Sequence, residues 1–158
     1  MEKQRSKPKP EPKQANLKNY RARTDNAFDD IQHILVSHGA KSLTFDYDQG
    51  RAAGVTFVIV VRGERLSFHM PARVQNVEHL LSKQQHWRQP ITEIHKQQAY
   101  RTAWANIRDW LAAQMALVET EMVQMEEIFL PYLLTPTGES LFFAMQERQF
   151  LLPAPEKK

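Results

Sequence analysis

The segment AYRTAWANIRDWLAAQ, residues 99–114, combines the groups that binding of an anionic ring compound would need. At about 100° per residue of an α-helix, Arg101 and Arg108 fall on one side and are separated by alanines. A guanidinium group binds phosphate in bidentate fashion, and alanines let a flat or bulky group approach the backbone. Trp104 lies next to this side, where an indole stacks on a base or holds an arginine by a cation–π contact. The pattern indicates a phosphate-and-base pocket.

Asp109 is a further candidate ligand residue on this helix. A second interpretation of the same helix is a solvated face, in which Arg101 and Arg108 are solvated and Arg108 or Lys96 pairs with nearby acids. On either interpretation the core-facing side is the other one. It is predicted to carry Ala103, Ile107, Trp110, Gln114 and Val118.

Further candidate ligand groups stand at the ends of predicted elements, where binding residues usually gather. Two segments supply them, NYRAR ahead of the first helix and FHMPARVQN between a strand and a helix. The candidates are Asn19, Tyr20 and Arg21 in the first segment and Phe68, Arg73 and Asn76 in the second. The alternatives are core packing for Phe68 and simple solvation at the helix start for Arg73 and Asn76.

Signals of catalysis and of metal binding are weak. The chain has no cysteine and only five glycines, and it has no HExxH or Gx-Ser-xG pattern and no Gly-rich phosphate loop. Its six histidines are scattered, and adjacent acids such as Asp29 and Asp30 point in different directions on a helix. We expect a protein that is not an enzyme and that carries no metal and no cofactor.

The charge is concentrated at the N-terminus. The chain of 158 residues has a net charge of +3, and residues 1–18 hold six basic and two acidic side chains. The other 140 residues therefore sum to −1, so the folded part is not a broadly basic nucleic-acid surface. The tail remains a possible electrostatic contact to nucleic acid.

These properties predict one small domain. Residues 1–18 lack the apolar residues needed to order a chain and are predicted to be disordered. Residues 19–152 are predicted to form a single α+β domain, and residues 153–158 a flexible C-terminus. No apolar run approaches the roughly 20 residues of a membrane helix, and we expect a cytoplasmic protein without a membrane contact.

The predicted elements begin with a helix in TDNAFDDIQHILVSHGA, which Gly39 ends. Alternating apolar residues in KSLTFDYD, AGVTFVIVV and RLSFHMPA indicate a three-stranded antiparallel meander. A short helix in RVQNVEHLLSKQQ and a long helix from about Thr92 follow. This is an α+β fold with a helical C-terminal half, whose apolar stripes favour a homo-oligomer.

The order of several segments resembles small proteins of tailed phages and prophages. The segments are NY, ILVSHGA, FHMPARV, YRTAWANIRDWLAAQMALVE, FLPYLL and TGESLF, and together they span about residues 19–150. The chain is similar to the Thoeris anti-defence 1 family, most specifically in AWANIRDWLAAQMALVE. The Lys/Pro-rich leader is not a feature of that family.

The resemblance implies a sponge, a protein that oligomerises and sequesters cyclic ADP-ribose signals of host TIR-domain defence proteins without cleaving them. Some members of the family hold cyclic nucleotides at separate sites. It also implies that arginines near the long helix and an aromatic residue at the sheet edge meet the ligand. The alternatives are a phage accessory protein that binds nucleic acid and an inhibitor that contacts a host defence protein directly.

Overall fold

A computed structural model describes residues 27–86 and 90–151. The elements are α1 (Ala27–Ser37), β1 (Ser42–Asp48), β2 (Arg51–Val61), β3 (Glu64–Pro71), α2 (Val74–Gln84), α3 (Glu93–Glu119), α4 (Met125–Phe129), a 3-10 turn (Leu130–Tyr132) and α5 (Leu141–Glu147). The α+β prediction is confirmed, including the N-terminal helix, the meander and the long helix in the C-terminal half. In the described ranges no helix is long and apolar enough to cross a membrane.

The three strands form one antiparallel sheet in the order β1-β2-β3. Both hairpins close through two residues with positive φ, Gln49 and Gly50 in the first and Arg62 and Gly63 in the second. Such two-residue turns match the right-handed twist of the strands that they join. Ala53 is an extra residue in β2, because Asp46 pairs with Gly54 and Tyr47 pairs with Ala52.

A glycine, a capping hydrogen bond and a proline mark the ends of the helices. Gly39, at φ +100°, ends the run after α1, and its N–H donates to the Val36 carbonyl at 3.1 Å. At the start of α3, the Thr92 N–H donates to Nδ1 of His95 at 3.3 Å. After α3 the chain restarts as α4 and then turns at Pro131, which has no N–H to continue a helix.

The core lies between one face of the sheet and the helices α1 and α3. Phe57 stacks on Phe68 with centroids 5.5 Å apart, and Phe129 packs edge-on against Phe57 at 4.9 Å. Trp104 of α3 packs against Phe28 of α1 at 4.9 Å and is 1% exposed. The core therefore joins α1, the sheet, α3 and α4.

Ala103 is buried as predicted, but the prediction of an open face in the N-terminal half of α3 is wrong. Thr102, Ala103, Trp104 and Ala105 are all buried although successive helical residues point to different sides. Helices α1 and α2 both pack on α3. Together with the sheet, they enclose this turn. Ala105 is 0% exposed, so Arg101 and Arg108 do not flank an open alanine surface.

The segment between α4 and α5 closes one edge of the sheet. The Leu134 N–H donates to the Ser67 carbonyl at 2.8 Å, and Leu133 forms a bridge with Phe68. The Ser140 hydroxyl then caps α5 by accepting from the Phe143 N–H at 3.5 Å. This connection places the α5 aromatic residues beside the end of β3.

Candidate functional site

Two aromatic candidates from the sequence are core residues. Trp104 donates its indole N–H to the Ala52 carbonyl at 3.3 Å and is enclosed on all sides. Phe68 is 1% exposed and packs between Phe57 and Phe129. Because neither ring has a free face, the hypothesis that they stack on a ligand is wrong for this structure, and core packing explains both.

The α3 arginines do not form one binding face. Arg108 lies with its side chain 15% exposed, and its guanidinium contacts Asp109 at 2.8 Å and Asp30 of α1 at 3.6 Å. Arg108 of α3 thus forms an ion pair with α1 through Asp30. Arg101 is exposed. The interpretation as a solvated, acid-paired face describes Arg108 and Asp109 better than a ligand pocket does.

Arg73 stands at the junction of β3 and α2, as the sequence predicted. Its backbone is left-handed, at φ 44° and ψ 46°, and its carbonyl accepts from the Asn76 N–H at 3.0 Å. A non-glycine residue in this conformation is strained by about 1–3 kcal/mol, and such residues concentrate at functional sites. Asn76 is exposed on the first turn of α2. The candidates Asn19, Tyr20 and Arg21 lie outside the described residues.

Arg73 lines two cavities. The first has a volume of about 450 Å³ and lies between the β1–β2 hairpin and the starts of α2 and α3. Three of its lining side chains are basic and three are acidic. We refer to it as the charged cavity, and the residues that define it are Asp48, Arg51, Arg73, Glu78, Glu93, Lys96 and Tyr100.

Ion pairs connect three of the charged residues that line the charged cavity. Arg51 Nη2 donates to Oε2 of Glu93 at 3.0 Å, and Lys96 Nζ lies 3.2 Å from Oε1 of the same carboxylate. Lys96 foremost, and Arg51 with it, hold the pKa of the Glu93 carboxyl below its usual value. The Arg51 guanidinium also lies 6.0 Å from the Tyr100 ring centroid, and burial raises the pKa of the Tyr100 phenol.

The second cavity has a volume of about 520 Å³ and lies between β3 and the segment that carries α5. It is the more apolar of the two, and the Arg73 guanidinium lies 5.9 Å from the Phe143 ring centroid. We refer to it as the aromatic cavity, and it is lined chiefly by His69, Arg73, Tyr132, Glu139, Ser140, Phe142 and Phe143.

A fixed histidine forms one wall of the aromatic cavity. His69 Nδ1 lies 3.1 Å from Oδ2 of Asp46 and 3.0 Å from the Thr56 hydroxyl, and that hydroxyl donates to the same Asp46 oxygen at 3.0 Å. One side chain comes from each strand. The ring lies against Gly54, where an added Cβ would stand 2.7 Å from Cε1 of His69. Nδ1 is thus the ring nitrogen that contacts Asp46 and Thr56, and Nε2 lies close to Gly54.

The residues that sequence reasoning missed are Arg51, His69, Lys96 and Tyr100. Arg51 lies on β2, His69 on β3, and Lys96 and Tyr100 both lie on α3, so no single sequence motif contains all four. The available signal was the position of Arg51 directly after a hairpin turn and of Lys96 in the first turn of α3. Over the ranges described, no group of three His, Asp and Glu side chains is placed to hold a metal ion.

The strain at Arg73 yields a stability prediction. Arg73→Gly and Arg73→Ala both remove the side chain, but only glycine adopts the left-handed backbone without strain. We expect the glycine variant to be more stable than the alanine variant by about 1 kcal/mol in urea denaturation. Equal stabilities would contradict a left-handed backbone at this position.

No protein-family model, no curated protein and no solved structure matches this chain. The similarity to the Thoeris anti-defence 1 family therefore stays a prediction from the sequence segments alone.

Proposed function

We propose that the protein is a non-catalytic binding module for a nucleotide-type small molecule, which it holds in the two cavities around Arg73. The observation that carries the proposal is that Arg73 lines both a charged and an aromatic cavity. A nucleotide likewise joins an anionic phosphate part to an aromatic base. Arg73 is a lining residue of both cavities, so a ligand that spans them would meet it.

The charged cavity suits the phosphate part. Arg51, Arg73 and Lys96 line it, and arginine binds phosphate oxygens through its planar fork of donors. Each charge-assisted hydrogen bond is worth roughly 1.5–3 kcal/mol. Arg51 and Lys96 are 41% and 44% exposed, so solvent screening lowers their contributions, and the three groups supply only part of the roughly 8 kcal/mol that micromolar binding requires.

The aromatic cavity suits the base. Phe142 and Phe143 are 43% and 46% exposed, so their rings have free faces that the buried Trp104 and Phe68 lack. Stacking of a base on an aromatic side chain contributes about 1–3 kcal/mol. His69 also lines this cavity and adds an imidazole to it.

Within this proposal the ligand is a cyclic ADP-ribose isomer that serves as an immune signal, and the protein is a phage sponge. It acts as a homo-oligomer in the cytoplasm of the infected bacterium and releases its ligand chemically unchanged. This finer statement draws its support from the sequence resemblance, and the paired cavities support only the ligand class.

Native mass spectrometry with cyclic ADP-ribose isomers tests the proposal. We expect the wild-type protein to gain the ligand mass and to release an unchanged ligand on heating. Arg73→Gly should lose about tenfold to hundredfold in affinity, because a charged hydrogen-bond donor is removed. The same spectra give the number of subunits.

Arg101→Ala is the matched control, since Arg101 is exposed and lines neither cavity. It should bind as the wild type does. Loss of binding in Arg101→Ala with full binding in Arg73→Gly would move the site to α3. No bound mass with any isomer would overturn the proposal.

Direct contact with another protein is the second candidate function, and one observation favours it. Phe142, Phe143, Phe150 and Leu151 around α5 are each at least 43% exposed, and Phe142 lies 6.0 Å from Phe150. Contiguous exposed apolar side chains commonly mark interaction surfaces. A Phe150→Ser variant that keeps ligand binding but loses a subunit or host-protein contact would assign this surface to protein association.

A further inference from the structure

We propose that Arg51 and Lys96 form a subsite for the phosphate or diphosphate group of the ligand, and that the Glu93 carboxylate takes the place of that anion in this structure. The inference rests on the proposed function, because it names the part of the charged cavity that meets the anion. It assigns a role to three residues that the sequence did not single out.

The geometry is that of one planar anion held between two cations. Arg51 Nη2 contacts Oε2 of Glu93 at 3.0 Å, and Lys96 Nζ contacts Oε1 at 3.2 Å, so each cation has its own oxygen. A phosphate group presents pairs of oxygens in a similar arrangement and carries at least as much negative charge. The same two donors therefore fit a phosphate in the position of the carboxylate.

The cations come from separate elements and are held apart from each other. Arg51 begins β2, and its guanidinium lies over the Tyr100 ring of α3 with a centroid distance of 6.0 Å. Lys96 belongs to the first turn of α3. Because α3 positions both Tyr100 and Lys96, the two donors keep their separation when the carboxylate between them leaves.

The Glu93 side chain is able to rotate away from Arg51 and Lys96. It is 73% exposed, against 41% for Arg51 and 44% for Lys96, and it stands on the first residue of α3. Solvent screens such an exposed ion pair, so rotation of the carboxylate into water loses little interaction energy.

The formal charge of the cavity becomes positive, which favours an anion, when Glu93 rotates away. The basic lining groups are Arg51, Lys96 and Arg73, and the acidic ones are Asp48, Glu78 and Glu93. With Glu93 in place the formal charges cancel. Without it the cavity is positive by one unit, and Asp48 and Glu78 remain as charges that oppose a strongly anionic ligand.

Titration with inorganic pyrophosphate at constant ionic strength, followed by protein NMR, tests the subsite. We expect Glu93→Gln to bind pyrophosphate about tenfold more tightly than the wild type, because the competing carboxylate charge is gone. Arg51→Ala and Lys96→Ala, each combined with Glu93→Gln, should lose that gain.

Glu78→Gln is the matched control, since it removes one negative charge from the same cavity without touching the Arg51–Lys96 pair. It should raise pyrophosphate affinity much less than Glu93→Gln does. Equal gains in the two variants would mean that the cavity responds only to its overall charge, and would overturn the subsite. Pyrophosphate affinity in Glu93→Gln equal to or below that of the wild type would overturn it too.

The outcomes separate this inference from the proposed function. A tighter complex of Glu93→Gln with pyrophosphate, together with no binding of cyclic ADP-ribose isomers by any variant, keeps the anion subsite and rejects the nucleotide-type ligand. Binding of the isomers by the wild type with no effect of Glu93→Gln on either ligand keeps the proposed function and rejects the subsite.

Discussion

Trp104→Ala is expected to lower the free energy of unfolding by about 3–5 kcal/mol, the usual loss for a large aromatic side chain in a core. Trp104 is 1% exposed and contacts Phe28, Phe45 and Tyr100 with ring centroids 4.9–6.5 Å apart. Its removal would leave a cavity where α1, β1 and α3 meet. It would also leave the Ala52 carbonyl without the indole N–H donor. The three elements can close such a gap only in part.

Urea denaturation of Trp104→Ala and Trp110→Ala measures this difference. Trp110 is only partly buried and packs at the edge of the core against Phe129 and Tyr132. We expect the Trp110 variant to lose less stability than the Trp104 variant. The reverse order would show that α3 is rotated from the orientation described above.

Gly54→Ala is expected to destabilise the sheet by about 1–3 kcal/mol, as overpacking does. The new Cβ would stand 2.7 Å from Cε1 of His69 and 3.1 Å from the Met70 carbonyl oxygen. The His69 ring must move away from the sheet, which breaks its contacts with Asp46 and Thr56. The backbone carbonyl of Met70 cannot move as easily.

Chemical denaturation and the imidazole nitrogen shifts of His69 report these two effects separately. A Gly54→Ala/His69→Ala double variant is the control, because it removes the ring but keeps the approach to the Met70 carbonyl. We expect it to be less destabilised than the sum of the two single variants. Additive losses, or unchanged His69 nitrogen shifts in Gly54→Ala, would contradict the close packing of the ring on Gly54.

If Arg73 and its two cavities form the binding site, the fold explains how ligand groups from distant positions meet. Arg51 begins β2 and lines the charged cavity, and His69 lies on β3 and lines the aromatic cavity. Arg73 directly precedes α2, and α3 supplies Lys96 and Tyr100. Binding would then depend on the packing of α3 against the sheet, although Trp104 itself touches neither cavity.

Local features of the sequence determined the elements. Alternation of apolar and polar residues placed the three strands, because side chains of a strand point alternately to the two faces. Gly39 and Gly63 adopt the positive φ that ends a helix or closes a hairpin. Thr92 begins the long helix as predicted. These signals act within a few residues, so no knowledge of the rest of the fold is needed.

Only the tertiary structure decided which side chains are available for binding. Helical spacing predicted that Trp104 lies beside a free face of α3, but α1, α2 and the sheet enclose it. Burial depends on which elements pack against the helix, and helical spacing does not reveal them. Arg51 lies 42 positions before Glu93, and Asp46 lies 23 before His69. Such contacts arise from the order of the strands and the packing of α3, which no local pattern encodes.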